Sequence, residues 1–209
     1  MTISYPLTLP APSSIMRVDF GMESLAGETE SPYSFVPQTF VWNADRWSVT
    51  VAWAPMARTD ADDVEGFAGA MRGREGSVLI GDGSRAAVLG TWLGQSPLVN
   101  GASQSGYTLA IDGLTPTTTT GAKGDYFQLG SGSNSRLHRL TVGFTANGSG
   151  QATLDIWPSL RGSPADNAAL TLASAKGLFK LNTNIRRWTI QDALDSGISM
   201  EFIEDLRGL

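Results

Sequence analysis

Apolar and polar residues alternate most regularly in the segment Asn43-Ala-Asp-Arg-Trp-Ser-Val-Thr-Val-Ala-Trp-Ala-Pro-Met56. From Trp47 to Trp53 every second side chain is a tryptophan or a valine, and small or polar residues fill the positions between them. This period of two is typical of a β-strand that buries one face. Trp47 and Trp53 then share that face, where rings of this size serve either a hydrophobic core or a contact between subunits.

A helix and a second strand are predicted directly after this strand. Apolar residues, Phe67 among them, recur at helical spacing and predict one amphipathic helix near residues 60–72. We expect Thr59 to cap its start and Gly73 to end it in the left-handed conformation. The strand Gly76-Ser-Val-Leu-Ile-Gly-Asp82 follows. This strand–helix–strand unit carries no set of residues that could do chemistry, which indicates a building block.

The rest of the chain predicts mostly short strands. Prolines interrupt residues 1–40, although Ile15–Phe20 alternates like a strand. In residues 85–172, dense glycine and asparagine turn signals separate short alternating segments, as in a compact β-sandwich or barrel. Further strands are expected at Gly177–Leu181 and within Gly197–Glu204. The sequence therefore predicts a mainly β fold with one α-helix.

Composition excludes several classes of function. The 209 residues are 41% hydrophobic and 17% charged, with a formal net charge of −5. This is a globular composition without the basic stripe of a nucleic-acid-binding protein, so no sequence-specific nucleic-acid ligand is expected. The absence of cysteine excludes disulfides, thiolate nucleophiles and zinc–cysteine sites. No apolar run approaches the roughly 20 residues of a membrane-spanning helix, so no membrane insertion is expected.

No catalytic, cofactor-binding or metal-binding residues are predicted. His138 is the single histidine, and no Gly-x-Ser-x-Gly elbow accompanies it, so we expect it to be structural. On a strand, Glu201 and Glu204 point to opposite faces and cannot share acid–base work. The aspartates of the segment Asp60–Asp63 are expected to form a solvated first helical turn rather than a metal site. The sequence therefore predicts a protein that is not an enzyme.

Two tryptophans leave a second function class open. Trp92 and Trp157 lie near the ends of predicted strands or loops, where exposed rings can stack on sugars. The alternative, in which they seal cores or subunit contacts, is the more common use of aromatic residues. Both interpretations stay open at this point.

Several short motifs together carry a resemblance to a known family. They are Arg46-Trp47 with its strand ending at Ala54-Pro-Met56, Arg72-Gly-Arg-Glu-Gly76, Val78-Leu-Ile-Gly-Asp82, Gly124-Asp-Tyr-Phe-Gln128, Arg136-Leu-His-Arg-Leu-Thr-Val142, Gly150-Gln-Ala-Thr-Leu-Asp-Ile-Trp-Pro158, and Gly177-Leu-Phe-Lys-Leu181 with Trp188 downstream. With these motifs the chain resembles the distal tail proteins of long-tailed bacteriophages, which join the tail tube to the tip. It departs from the family at Ala54 and Gly83, where prolines are expected in turns.

The resemblance implies a structural role. It implies a β-sandwich belt domain with one helix, which forms a ring, commonly hexameric, and a second small β-sandwich or barrel domain. The belt would comprise residues 1–95 and the strands of residues 173–209, and the second domain residues 96–172. The implied partners are further copies of the chain, the tail tube protein, the hub or tip protein and the tape measure protein. The implied location is the virion tail, assembled in the cytoplasm of the host bacterium.

Two hypotheses accompany this interpretation. The acidic balance would suit a tube lumen through which DNA slides without binding, since lysine and arginine would retain the phosphates. The alternative function is a carbohydrate-binding module at the tail tip, with Trp92 and Trp157 as its candidate glycan contacts. A hydrolase is disfavoured because no acid–base pair is in view.

Overall fold

The structure, a computed structural model, describes residues 3–10, 15–42, 44–187 and 197–207. The fold is mainly β, with 40% of residues in strands, a single α-helix and a nearly closed, barrel-like sheet, which confirms the predicted class. The helix is α1 (Arg58–Ala70). The strands in chain order are β1 (Leu7–Thr8), β2 (Ile15–Glu23), β3 (Ala26–Glu30), β4 (Pro37–Val41), β5 (Arg46–Trp53), β6 (Val78–Ile80), β7 (Leu98–Val99), β8 (Gly106–Asp112), β9 (Thr120–Gly121), β10 (Tyr126–Leu129), β11 (Arg136–Leu140), β12 (Phe144–Thr145), β13 (Ala152–Leu160), β14 (Leu170–Thr171), β15 (Gly177–Leu181) and β16 (Ser199–Glu204).

The first sheet is built around the tryptophan-bearing strand. Its order is β1-β6-β15-β16-β5-β2, and only the short β1–β6 pair among these is parallel. Along β5 buried and half-buried residues alternate strictly, as the sequence predicts. Trp47 and Trp53 are 1% and 2% exposed, so both rings lie in the first hydrophobic core.

Helix α1 covers the same core. Val64 and Phe67 are buried against the sheet, and the helix spans Arg58–Ala70 rather than residues 60–72. The prediction that Thr59 caps the helix is wrong: the N-cap is Ala57, which makes no side-chain capping hydrogen bond. The backbone of Ala57 is extended, and its carbonyl accepts hydrogen bonds from the backbone amides of Asp60 and Ala61. Gly73 has the predicted left-handed conformation, with a φ of 66°, but the helix ends earlier, at Ala70 with Met71 as its C-cap, and Arg72 already has a φ of 48°.

The second sheet has the order β14-β10-β11-β13-β8-β7, and all its pairs are antiparallel. One face of this sheet packs on a second hydrophobic core, which includes Trp92, Leu109 and Phe127. Two further two-stranded sheets, β9–β12 and β3–β4, complete the pairings among the described residues.

The two cores share a wall formed by β10 and β11. On one face of this wall Tyr126 and Leu137 belong to the first core, and on the other face Phe127 and Leu140 belong to the second. The indole N–H of Trp47 also donates a 2.8 Å hydrogen bond to the carbonyl of Leu137. The strands of the first sheet come from both ends of the chain and those of the second sheet from its middle. The predicted division into domains 1–95 with 173–209 and 96–172 stays a prediction, and Trp188 lies outside the described residues.

Candidate functional site

His138 lies in the wall between the cores and has a structural environment. It is fully buried, its ring stacks on Phe127 at a centroid distance of 5.4 Å, and its Nδ1 is 2.9 Å from the carbonyl oxygen of Pro158. Burial lowers the pKa of His138 from 6.5 to about 4, and the positive charges of Arg161 and Arg136 act in the same direction. The imidazole is therefore neutral near pH 7.

The buried histidine predicts a specific pH dependence of stability. Between about pH 6.5 and the folded-state pKa of about 4, the unfolded chain binds more protons than the folded one, so stability falls as the pH falls. We expect the free energy of unfolding to drop by about 2 kcal/mol from this group between pH 7 and pH 5. Urea unfolding at the two pH values measures it. The variant His138→Gln should lose this part of the pH dependence, and an unchanged dependence would contradict the assignment.

The carboxylates of β16 do not form a catalytic pair. Glu201 is exposed, whereas Glu204 is buried on the opposite face, as the sequence predicts. Glu204 receives a 2.9 Å hydrogen bond from Arg161 and a 3.2 Å hydrogen bond from the backbone amide of Trp47. Nearby, Arg136 donates to the carbonyl of Asp205 at 2.7 Å. These contacts tie the first sheet to the second sheet.

The described residues contain no group of three or more His, Cys, Asp or Glu side chains that could hold a metal ion. At the start of α1, Asp60 lies in the first turn, and Asp62 and Glu65 form ion pairs with Arg58 at 3.0 and 3.1 Å. The aspartates of this segment therefore belong to a charged helix surface.

The three aromatic residues proposed for a core or a subunit contact are core residues. Trp47 and Trp53 are buried in the first sheet, and Phe67 of α1 is 8% exposed in the same cluster. Trp47 contacts two other indole or phenol rings, with centroids 4.5 Å from Trp157 and 6.0 Å from Tyr126. All three side chains pack within the first hydrophobic core.

Trp92 is not available to a glycan. Its side chain is fully buried in the second core, and its indole N–H donates a 2.9 Å hydrogen bond to Asp125. The same carboxylate accepts hydrogen bonds from the backbone amides of Leu89, Gly90 and Ala122. The interpretation of Trp92 as a glycan contact is therefore wrong, because the second core encloses its ring.

Trp157 is partly exposed in a surface groove of about 490 Å³. We call this the Trp157 groove; its lining residues are Met22, Lys123, Gly124, Arg139, Leu140, Thr141 and Trp157. The Trp157 ring packs on Trp47 in a T-shaped arrangement, and its indole N–H lies 3.4 Å from the hydroxyl of Ser24. Met22 is 50% exposed beside it. The groove thus combines an apolar surface with two cationic side chains.

The most exposed part of the described chain is a hairpin that the sequence analysis missed. We call residues 25–42 the arm; it consists of β3, a tight tip at residues 31–36 and β4. Its strands pair in register from Ala26 with Val41 to Glu30 with Pro37, and nearly every residue is exposed. The arm continues the β2–β5 hairpin outward from the first sheet. The prolines at both ends of the tip suggested loops, although Pro37 occupies only a strand end, where no interior ladder bond is lost.

The arm carries a concentration of exposed apolar side chains. Tyr33 is 95% exposed and Phe35 74% exposed. The other large apolar residues exposed on the arm are Leu25, Val36, Phe40, Val41 and Trp42. A concentration of exposed large apolar residues on one short segment is typical of an interaction site, since single exposed apolar residues are common but groups of them are not. The arm and the Trp157 groove are therefore the candidate functional surfaces.

In comparisons with known proteins, no family model matches the sequence and no curated protein matches it. Among the described residues, no helix has the length and apolar character needed to cross a membrane.

Proposed function

We propose that this chain is a structural subunit of a bacteriophage tail, which forms a ring at the distal end of the tail tube and connects the tube to the hub or tip. The observation that carries the proposal is the arm, which presents Tyr33, Phe35 and five further apolar side chains to solvent. Such a surface is costly in water unless another protein covers it. The resemblance of the sequence motifs to distal tail proteins supports the same function.

The choice of a ring, rather than a dimer in which two copies exchange arms, comes from the family resemblance. An arm that projects from one side of a subunit and binds a different surface on the next copy makes a head-to-tail contact. Contacts of this type close into a ring when the rotation per subunit divides a full turn.

The proposal includes partners and a location. The chain itself forms the ring, for which the family resemblance implies a hexamer, and the tail tube, hub or tip and tape measure proteins are its neighbours. The virion tail is its location, after assembly in the bacterial cytoplasm. Each chain has a net charge of −5, so the ring recognises no specific DNA sequence and its lumen does not retain DNA phosphates. A structure of the assembled ring with a lumen lined by lysine and arginine would contradict the last statement.

The second candidate function is a carbohydrate-binding module at the tail tip. It depends on Trp157 alone, since Trp92 is buried. A titration with host-surface glycans that saturates for the natural chain, but not for Trp157→Phe, would favour this candidate over a purely structural role.

Location on the particle tests the proposed function. Tails from the virus that encodes this chain would be labelled with gold-conjugated antibodies raised against the purified protein and imaged by electron microscopy. We expect one cluster of label per tail, at the distal end of the tube. Label spread along the tube, or tails that lack label while the capsid or the cell extract carries it, would overturn the proposal.

A further inference from the structure

The arm carries two negative charges that have no partner in the described part of the chain. Glu28 and Glu30 are exposed on β3, and neither takes part in an ion pair or a side-chain hydrogen bond among the described residues. Because they are two residues apart on one strand, both point to the same face of the arm. By the register of the hairpin, this face also carries Val41, which is 69% exposed.

The Trp157 groove carries two positive charges, which complement the two negative charges of the arm. Lys123 and Arg139 both line it, and within the described ranges neither is in an ion pair. Arg139 is held in place by a 3.3 Å hydrogen bond to the carbonyl of Gly124 and by its position 5.2 Å from the ring centroid of Tyr126. Apolar surface from Met22 and Trp157 lies beside these charges. The groove thus offers cationic and apolar contacts side by side.

We propose that the Trp157 groove of one copy receives the acidic face and the tip of the arm from the next copy in the ring. Glu28 and Glu30 pair with Lys123 and Arg139, while the apolar side chains of the tip cover Met22 and Trp157. This inference rests on the proposed function, because it specifies the contact that builds the ring. Complementary charges set the register of such a contact, and burial of the aromatic anchors supplies most of its affinity.

The arm of the same copy is a poor occupant of this groove. Met22 and Ser24, which border the groove or bond to Trp157, lie at the base of the arm, where β2 ends. Glu30 lies eight residues further along the chain, which corresponds to about 27 Å of extended strand. The five paired positions of β3 and β4 keep the arm extended and away from its own base. The contact is therefore between different surfaces of different copies.

The absence of cysteine makes this contact directly testable. The full chain carrying both Glu30→Cys and Lys123→Cys should form a ladder of disulfide-linked species on mild oxidation, as read on non-reducing gels. An equimolar mixture of the two single variants should give linked dimers only, because each copy then offers one thiol. A chain with Glu30→Cys and Lys176→Cys is the control; Lys176 does not line the groove, and no ladder is expected.

Charge reversal provides the second readout. The variant Glu28→Lys with Glu30→Lys should weaken assembly at least about tenfold, and adding Lys123→Glu should recover part of the loss. Rings that still form while the cysteine pair gives no ladder, or while charge reversal has no effect, would overturn the groove contact and leave the proposed function standing. A chain that forms no rings and is absent from tails would overturn both.

Discussion

A chain without its arm is expected to remain monomeric at concentrations at which the full chain assembles. In this variant residues 27–40 are replaced by Asn-Gly, a pair that favours a two-residue hairpin turn. The deletion removes the exposed rings of Tyr33, Phe35 and Phe40. Each aromatic anchor of an interface typically contributes more than 1–2 kcal/mol, so the loss should weaken association by at least about 100-fold. Mass photometry over a concentration range measures the effect.

The arm variant should fold like the full chain. Among the described strands, β3 and β4 pair only with each other, and neither contributes to the two cores. We therefore expect an unchanged urea midpoint together with the loss of assembly. The variant Gln38→Ala alters an exposed polar residue on the face of the arm opposite to Glu28 and Glu30, and it serves as the matched control, with assembly preserved. Assembly of the arm-deleted chain at the concentration of the full chain would contradict the role of the arm.

Replacement of Trp47 by alanine should cause the largest loss of stability of any single substitution considered. Its ring is 1% exposed, lies against Trp157, Tyr126 and Phe20, and donates its N–H to the carbonyl of Leu137. The substitution opens a cavity and leaves that buried carbonyl without its partner. We expect a loss of about 3–5 kcal/mol in the free energy of unfolding, which urea denaturation measures.

Trp42→Ala is the control for this substitution. Trp42 is 52% exposed at the base of the arm, so its removal should change the free energy of unfolding by about 0.5 kcal/mol or less. The two variants therefore separate the indole that stabilises the fold from an indole available to a partner. Equal losses for Trp47→Ala and Trp42→Ala would contradict the placement of Trp47 at the junction of the cores.

Local patterns were sufficient to predict the elements that bury one face. The period of two in β5 predicted which side chains of Trp47–Trp53 point inward, because a strand that packs on a core must sort its side chains in this way. The same rule separated Glu201 from Glu204. It could not predict that Arg161 forms an ion pair with Glu204, since the two residues are 43 positions apart in the sequence. The capping prediction for Thr59 failed for a local reason. The extended backbone of Ala57 places the start of the helix at Arg58, so Thr59 already lies within the helix.

The candidate surfaces depend on contacts that a sequence pattern does not record. The Trp157 groove combines Met22, Lys123, Arg139 and Trp157 from four separate segments. The sequence left open whether Trp92 is exposed or buried; Asp125, 33 residues away, accepts the hydrogen bond of its indole N–H in the second core. The arm did have a local signal, in the proline- and serine-rich turn between two short extended segments, although its prolines favoured a loop interpretation. The proposed ring contact would bury this apolar surface.

Negative-stain electron microscopy of the purified natural chain at high concentration is the most direct test of the proposed ring. We expect closed rings with an open centre and the same number of subunits in every particle, which the arm-deleted chain does not form. Monomers at every concentration, symmetric dimers, or open filaments from the natural chain would contradict it.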